Sequence, residues 1–417
     1  MKHDNYWGYL TIIYVMNRLH AAILMAISIS VAGLQACGPS NAKQKTALMA
    51  RVEVDTTYTI NLSESDVKSL LASSETKRIQ SELKDFFNHK LVRSGFSGTM
   101  LVARKGVVLF QGHHGYEDYP NRIPMEDSSS FQLASISKTF TGMGVLQLVE
   151  QQKISLEDSI QRFFPTFPYK GVTVRTLLNH RSGLPNYLYF SDSLWKDKQK
   201  LMTNLDVINV MTLHKPRIEH LPDTHFQYCN TNYVLLAAII EKVSQQPFAD
   251  YMASHIFKPL GLKHTYVYTP DQAARPHQTK SHYYNGKLVA DDCFDGVMGD
   301  KGIYSTANDM LKWDQALYSG RFLQEETLKE AFTPYSHEKP GVKNYGLGFR
   351  MLVYPDQAKI IYHNGWWHGN NTVFYRFIKD STTLVILGNK QNKNIYFAVK
   401  PVREILGEGI DDEAGED

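Results

Sequence analysis

Apolar and polar positions along this chain follow a helical period in some stretches and a strand period in others. Residues 67–90 carry apolar side chains at helical spacing and predict an amphipathic helix. Residues 98–103 and 107–112 follow as two strand-like stretches joined by a short turn containing Gly106, which predicts a β-hairpin. Residues 135–150 are apolar on most sides and predict a buried helix.

The pattern changes again in the second half of the chain. Residues 155–265 are mostly helical and loop-like, with a clear helix at 233–243. Four strands and a last helix are then predicted, at 346–353, 359–363, 372–378, 383–387 and 395–406. Strands from both ends of the chain that flank a helical block predict one sheet with a helical insertion at about 150–300. We therefore predict a single domain over residues 67–407.

The amino-terminal segment has the pattern of an export signal. Asn17, Arg18 and His20 precede an apolar run over 21–34, which is too short to span a bilayer comfortably and is typical of a signal peptide. Leu34-Gln35-Ala36-Cys37 resembles a bacterial lipoprotein cleavage box. We predict a signal peptide over 1–36 with translation starting at Met16, lipidation of Cys37, and a tether and peripheral segment over 37–66. A periplasmic protein or an uncleaved membrane anchor remain alternatives.

Composition excludes several classes of protein. Of 417 residues, 43% are hydrophobic and 21% charged, which excludes wholesale disorder and collagen-like repeats. Three cysteines are too few for a disulfide scaffold or a four-thiolate zinc site, and whether Cys229 and Cys293 pair stays open. The net charge is +3, residues 408–417 form an acidic tail, and no Lys/Arg block is long enough to predict nucleic-acid binding.

Several catalytic motifs are missing from the sequence. It has no Gly-x-Ser-x-Gly elbow, no phosphate-binding Walker A loop and no His-Glu-x-x-His zinc motif. His pairs such as His363 and His368 lack a matching set of carboxylates or thiolates in the sequence. We therefore predict neither a metal site nor a cofactor.

Ser135 and Lys138 form a Ser-x-x-Lys at the start of the predicted buried helix. Positions i and i+3 share one helix face, so the ammonium of Lys138 is expected beside the Ser135 hydroxyl. Free N–H groups at a helix start suit a developing oxyanion. The alternative is a capping serine with a solvated lysine. A lysine within an apolar stretch is costly unless it is paired, which favours the functional interpretation.

Two further motifs follow in order, Tyr228-Cys229-Asn230 and His363-Asn364-Gly365. Together the three elements resemble the serine β-lactamase and penicillin-recognising family, with its Ser-x-x-Lys, Tyr-x-Asn and (Lys/His)-x-Gly motifs. The stretches 173–185, 257–262 and 302–310 resemble the branch with class C-type β-lactamases, D-alanyl-D-alanine carboxypeptidases and esterases. The resemblance implies an α/β (α+β) β-lactamase/transpeptidase-like fold, with an antiparallel sheet from both chain ends, flanking helices and a mostly helical second subdomain.

The resemblance also implies roles for individual residues. Ser135 would be the acylated nucleophile, and Lys138 would be either its base or the cation that favours deprotonated Tyr228. Tyr228 would shuttle the proton to the leaving group. Asn230 would bind the substrate amide, and the N–H groups of Ser135 and Trp366, the latter following Gly365, would form the oxyanion hole.

Departures from the family pattern bear on the substrate. His363 stands where many β-lactamases have lysine, and the His-x-Gly version resembles the carboxypeptidase and esterase members. We expect His363 to hold a substrate carboxylate when protonated; the alternative is that it packs beside Trp366. Cys229 replaces a common serine and is interpreted as a packing residue.

Three functions remain open at this point. The first is a serine hydrolase acting through an acyl-enzyme on D-amino-acid peptides, amides or esters in a bacterial cell envelope. The second is a penicillin-binding or muropeptide-sensing module with slow turnover, and the third an inactive scaffold. The expected partners are a small-molecule or peptidoglycan-derived substrate and the membrane, through lipid on Cys37, without nucleic acid. The oligomeric state is left open.

Overall fold

The computed structural model describes residue 60, residues 62–269 and residues 275–408. The predicted signal peptide, the lipidation site Cys37 and most of the predicted 37–66 segment lie outside the described residues, as does the acidic tail after Glu408. Within the described ranges, no helix combines the length and the apolar character needed to cross a bilayer.

One antiparallel sheet of seven strands forms the centre of the described fold, in the order β2-β1-β12-β11-β10-β9-β8. The smaller sheets are β3-β4 and β5-β7-β6. Along the chain the strands are β1 (Gly98–Arg104), β2 (Val107–His114), β3 (Tyr116–Asp118), β4 (Ile123–Pro124), β5 (Phe131–Gln132), β6 (Tyr266–Val267), β7 (Ile303–Ser305), β8 (Lys343–Tyr345), β9 (Arg350–Val353), β10 (Lys359–Trp367), β11 (Asn370–Phe377) and β12 (Thr382–Gly388).

The sheet is built from both ends of the chain, as predicted. β1 pairs with β12 in a register that sets Gly98 opposite Gly388. The predicted hairpin of β1 and β2 is also present. Its turn residues Lys105 and Gly106 have φ of 51° and 77°, the left-handed conformation that two-residue hairpin turns of this kind require.

Helices from both chain ends cover one face of the sheet: Glu64–Ala72, Ser74–Phe86, Asn394–Phe397 and Val399–Leu406. Ile79 and Leu83 pack there in a cluster with Val102 and Leu384. The single helix predicted over 67–90 is divided, because Ser73 is extended at ψ 145°. The Ser73 hydroxyl accepts a hydrogen bond from the Thr76 N–H and so caps the second helix.

A mostly helical block covers the other face: Ser137–Glu150, Val174–Leu178, Tyr187–Leu194, Asn204–His214, Asn230–Ser244, Phe248–Met252, Ala307–Ala316 and Glu325–Ala331. Helix Ser137–Glu150 is buried on nearly all sides, as predicted. Its Phe140 ring stacks on Trp313 with centroids 4.2 Å apart. Each large apolar side chain buried in this way stabilises the fold by about 1.5–3 kcal/mol, so the helix start is held in one place.

Candidate active site

Ser135 lies in a tight turn between β5 and helix Ser137–Glu150. The residue before it, Ala134, has φ of 50°, a left-handed conformation that a non-glycine residue keeps only when its surroundings enforce it. Two hydrogen bonds hold the preceding residue. The Leu133 N–H donates to the Ile303 carbonyl at 2.8 Å, and the Thr372 hydroxyl donates to the Leu133 carbonyl at 2.8 Å. The turn therefore presents the partly exposed Ser135 side chain to a cavity.

Lys138 is fully buried and points back at Ser135. Its Nζ donates to Ser135 Oγ at 3.0 Å and to the Asp300 carbonyl at 2.7 Å. The same Nζ lies 5.1 Å from the ring centroid of Tyr228. Burial of an ammonium is unfavourable unless it is paired, and this one finds its partners at the serine. The contact expected from the i, i+3 spacing is present, and the solvated-lysine alternative is wrong.

Tyr228 stands at the cavity immediately before helix Asn230–Ser244, and Asn230 lines the same cavity. The Tyr228 hydroxyl oxygen is buried and has no hydrogen-bond partner among the described residues. Its ring packs on His180 with centroids 4.4 Å apart. Because Tyr228 lines the cavity that also contains Ser135, an atom of a bound substrate can become the partner of this hydroxyl.

His180 is a residue whose contribution the sequence analysis missed. Its Nδ1 accepts hydrogen bonds from the Cys229 N–H and the Asn232 amide, both at 3.1 Å. Burial first, and the nearby positive charge of Lys138 second, hold the pKa of His180 well below its usual value. The ring is therefore neutral and serves as a fixed support behind Tyr228.

Both cysteines in the described part of the chain are free and buried. The Cys229 thiol lies 3.2 Å from the Leu184 carbonyl, and burial raises its pKa to about 11. Cys229 therefore packs, and its thiol is not ionised at neutral pH.

Gly365 brings β10 into contact with the Ser135 turn. A Cβ at this position would lie 2.4 Å from the Leu133 carbonyl oxygen and 3.1 Å from the Ala134 Cβ, so no side chain fits. β9 pairs with β10 only over Lys359–Tyr362. The later part of β10 thus has an edge beside the serine, and the Trp366 indole is 61% exposed there.

Tyr396 holds the peptide unit between Gly365 and Trp366. Its hydroxyl donates to the Gly365 carbonyl at 2.6 Å and accepts from the Asn371 amide at 2.9 Å. Asn371 belongs to β11, and the C=O and N–H of a trans peptide point in opposite directions. The Trp366 N–H therefore points away from β11, toward the edge of β10 beside Ser135. No motif in the sequence pointed to Tyr396.

His363 does not line the cavity, in contrast to the expected contact with substrate. Its ring is 1% exposed. Nδ1 donates to the Asn364 carbonyl at 2.7 Å, and Nε2 accepts from the Tyr345 hydroxyl at 3.2 Å. Burial, and after it the charges of Arg350 and Lys138, hold the pKa of His363 well below its usual value of 6.5. A neutral imidazole with both nitrogens engaged cannot serve as a cationic anchor.

The cavity in front of Ser135 has a volume of about 550 Å³ and is rich in positive charge. Its charged lining residues are Asp300, Lys301, Lys343, Arg350 and Lys393. The guanidinium carbon of Arg350 lies 5.0 Å from the Tyr228 ring centroid. Among the described residues of this lining, four cationic side chains against one carboxylate favour an anionic group on the ligand. The sequence analysis missed these cations because they come from four separate segments.

His368 meets two carboxylates, which the sequence analysis did not expect. The potential ligand atoms of His368, Asp292 and Asp295 lie within 4.8 Å of one another. Asp295 accepts from His368 Nε2 and from Trp367 Nε1, both at 2.8 Å. Burial acts to lower the pKa of His368, but the hydrogen bond and charge of Asp295 outweigh it and raise the pKa. These hydrogen bonds within the cluster hold the end of β10 in position.

Several known proteins are similar to this chain in sequence and in fold. Residues 83–406 match the sequence profile of the beta-lactamase family. Penicillin-binding protein 4* of Bacillus subtilis (strain 168) is 34% identical over 318 residues, 72% of this chain and 70% of that protein. The crystal structure of D-amino acid amidase from Ochrobactrum anthropi SV3 matches with a TM-score of 0.65 and 26% identity, over 80% of this chain and 99% of the amidase. A penicillin binding protein from Bacillus halodurans matches with a TM-score of 0.66 and 24% identity, over 78% of this chain and 98% of that chain.

Proposed function

The chain belongs to the beta-lactamase family and is a serine hydrolase, and on that premise we propose that it cleaves D-amino-acid peptides and amides through an acyl-enzyme on Ser135. The observation that carries the proposal is the 3.0 Å contact between Lys138 Nζ and Ser135 Oγ, beside the unpartnered hydroxyl of Tyr228. The substrate class rests on the names of the relatives, a penicillin-binding protein and a D-amino acid amidase.

The proposed reaction has two halves. Ser135 Oγ loses its proton to the Tyr228 phenolate, either directly or through Lys138 in its neutral amine form, and attacks the carbonyl carbon, whose oxygen becomes an oxyanion held by the N–H groups of Ser135 and Trp366. The intermediate collapses, the C–N bond breaks, and Tyr228 protonates the leaving nitrogen. Water then attacks the ester, releases the acid and restores the Ser135 hydroxyl. Asn230 is assigned to the amide on the acyl side.

A substrate panel tests this proposal. It contains an N-acyl-D-Ala-D-Ala peptide, a D-amino-acid amide, the L-amide as control, a short p-nitrophenyl ester and nitrocefin. We expect turnover of the D-peptide or D-amide, and acylation of Ser135 identified by mass spectrometry after labelling. A labelled adduct that persists without turnover would instead favour the slow binding or sensing module. Failure to label or turn over any compound would favour the inactive scaffold.

We assign the substrate carboxylate to Arg350 and Lys343, which line the cavity, and not to the buried His363. A guanidinium keeps its charge at any pH that a protein tolerates. The ratio of kcat/KM for a carboxylated substrate to that for a neutral ester should therefore stay constant from about pH 6 to about pH 8. His363 cannot change this ratio, because its depressed pKa keeps it neutral across the range. A ratio that falls with a midpoint near the usual histidine value of 6.5 would return the anchor role to His363.

We propose that Tyr396 orients and polarises the peptide unit between Gly365 and Trp366, whose N–H is assigned to the oxyanion hole. Replacing Tyr396 by phenylalanine removes the hydrogen bond to the Gly365 carbonyl. We expect kcat to fall by about 10-fold with little change in KM, because an oxyanion contact forms only in the transition state. Tyr251→Phe is the control, since Tyr251 is a buried tyrosine that lies outside the cavity and donates a hydrogen bond to the Gly144 carbonyl. A rise in KM at unchanged kcat would show that Tyr396 acts on substrate binding alone.

We further propose that the protein is exported and faces the periplasm as a lipoprotein, with a peptidoglycan-derived substrate. The support is the sequence Leu34-Gln35-Ala36-Cys37 after an apolar run. Cys37→Ala should move the protein from the membrane to the soluble fraction. Unchanged membrane association would refute lipidation at this site.

A further inference from the structure

A second cavity adjoins the first beside the part of β10 that pairs with β9. Its volume is about 300 Å³, and it shares Lys343, Arg350 and Tyr362 with the cavity that holds Ser135. We propose that it is a leaving-group subsite that takes a large apolar side chain from a leaving group bearing a carboxylate. This inference rests on the proposed function and narrows its substrate class to peptides whose last residue is larger than alanine.

The direction of the substrate follows from Tyr228. The residue proposed to protonate the leaving nitrogen must lie on the leaving-group side of the scissile bond. The Tyr228 ring lies 5.0 Å from the Arg350 guanidinium, and its centroid is 6.3 Å from that of Tyr345 and 6.1 Å from that of His363. Of these, Arg350 lines both cavities, and Tyr345 packs on Phe226, which lines the second cavity.

The opposite end of the cavity has different chemistry. Trp367 follows Tyr362 by five positions in β10, about 16 Å along an extended strand. There the Lys301 Nζ lies 4.7 Å from the Trp367 ring centroid and donates to the Tyr187 hydroxyl at 2.7 Å. Ser135 lies between the two ends, because its turn contacts β10 at Gly365. We therefore assign the acyl part of the substrate to the end of the first cavity at Trp367.

The walls of the second cavity fit a carboxylated apolar group. Phe226, Val342 and Pro340 provide apolar surface, and the Phe226 ring is fixed against Tyr345 with centroids 5.5 Å apart. Glu338, the one carboxylate among the described residues of this lining, forms an ion pair with Arg181. Lys343 and Arg350, which line both cavities, therefore give the junction of the two cavities a positive charge. The methyl group of a leaving alanine would leave the second cavity unfilled.

Two substrates with the same acyl group test the inference. N-acetyl-D-Ala-D-Ala and N-acetyl-D-Ala-D-Phe form an identical acyl-enzyme, so their kcat/KM values differ only through the leaving group. We expect the D-Phe peptide to be preferred by about 10-fold, as for an apolar group that enters a fitting pocket. Equal rates, or a preference for D-Ala, would overturn the subsite.

Filling the cavity gives a second test. Pro340→Trp, and independently Lys339→Trp, place an indole at the exposed rim, and each should remove the preference for D-Phe over D-Ala. Lys329→Trp, on an exposed helix outside the cavity, is the matched control and should keep the preference. A preference that survives both rim variants would overturn the subsite. If neither peptide is cleaved and Ser135 is not acylated, the proposed function itself fails and the subsite falls with it.

Discussion

Replacing Ser135 by alanine is expected to abolish covalent labelling by a fluorescent penicillin or a fluorophosphonate, and to lower hydrolysis by about 10⁴-fold or more. The variant loses the atom that forms the acyl bond. It should still fold, because within the described residues the Ser135 hydroxyl makes a hydrogen bond with the Lys138 ammonium and no other. What is lost is one hydrogen bond from Lys138, whose Nζ keeps its contact with the Asp300 carbonyl, so the expected loss of stability is about 1–2 kcal/mol.

Ser137→Ala is the matched control for this result. Ser137 lies two positions away, is fully buried, and accepts a hydrogen bond from the Ile303 N–H at 3.1 Å. Its loss should lower stability by about as much without preventing labelling. Intact-protein mass spectrometry and thermal unfolding together separate the two effects. Labelling of Ser135→Ala at the native rate would mean that a different residue is the nucleophile.

Removing the Tyr228 hydroxyl or the Lys138 ammonium is expected to slow acylation by about 10³-fold or more in each case. Both groups are proposed to act on the proton of the Ser135 hydroxyl. Lys138 Nζ contacts Ser135 Oγ and lies 5.1 Å from the Tyr228 ring centroid. Groups that act as a unit have non-additive effects, so the double variant should be little slower than the slower single variant. Single-turnover acylation rates of Tyr228→Phe, Lys138→Ala and the double variant measure this coupling.

Lys312→Ala controls for the loss of a partly buried, hydrogen-bonded lysine. Lys312 donates to the Gly261 carbonyl at 2.9 Å and to Asp309 at 3.2 Å, away from the cavity. It should destabilise the protein without affecting acylation. Fully additive losses in the Tyr228 and Lys138 pair would refute the shared proton path, because they would show that the two residues act independently.

The sequence predicted the parts of this protein that depend on local pattern. Strand-like stretches in the sequence predicted β1, β2, β10, β11 and β12, and the spacing of Ser135 and Lys138 predicted a contact that the structure shows at 3.0 Å. The strand predicted over 346–353 begins only at Arg350. Gly348 has φ of 100°, and a Cβ at Gly346 would lie 2.2 Å from the Ala331 carbonyl, so this stretch is a turn packed on a helix.

Burial on both faces of the sheet explains the misassigned role of His363. On β10, Ile361 packs with the helical block, and Ile360 and Tyr362 pack with the outer cluster. With apolar residues on both faces, the sequence does not show which face His363 occupies. Arg350 and Tyr396 were missed for another reason. They reach the site from strands and helices distant in sequence, and no spacing rule relates them to Ser135.

Because β1 pairs with β12, the active site can form only after the later strands of the sheet have been synthesised. Ser135, Lys138 and Tyr228 are synthesised early, but Gly365, Thr372 and Gly388, which hold the serine turn and close the sheet, come near the end of the chain. Such long-range strand pairing forms late and slowly during folding. A nascent or truncated chain that ends before β10 therefore carries its nucleophile without an oxyanion edge, and we expect hydrolytic activity only after β10, β11 and β12 have been synthesised.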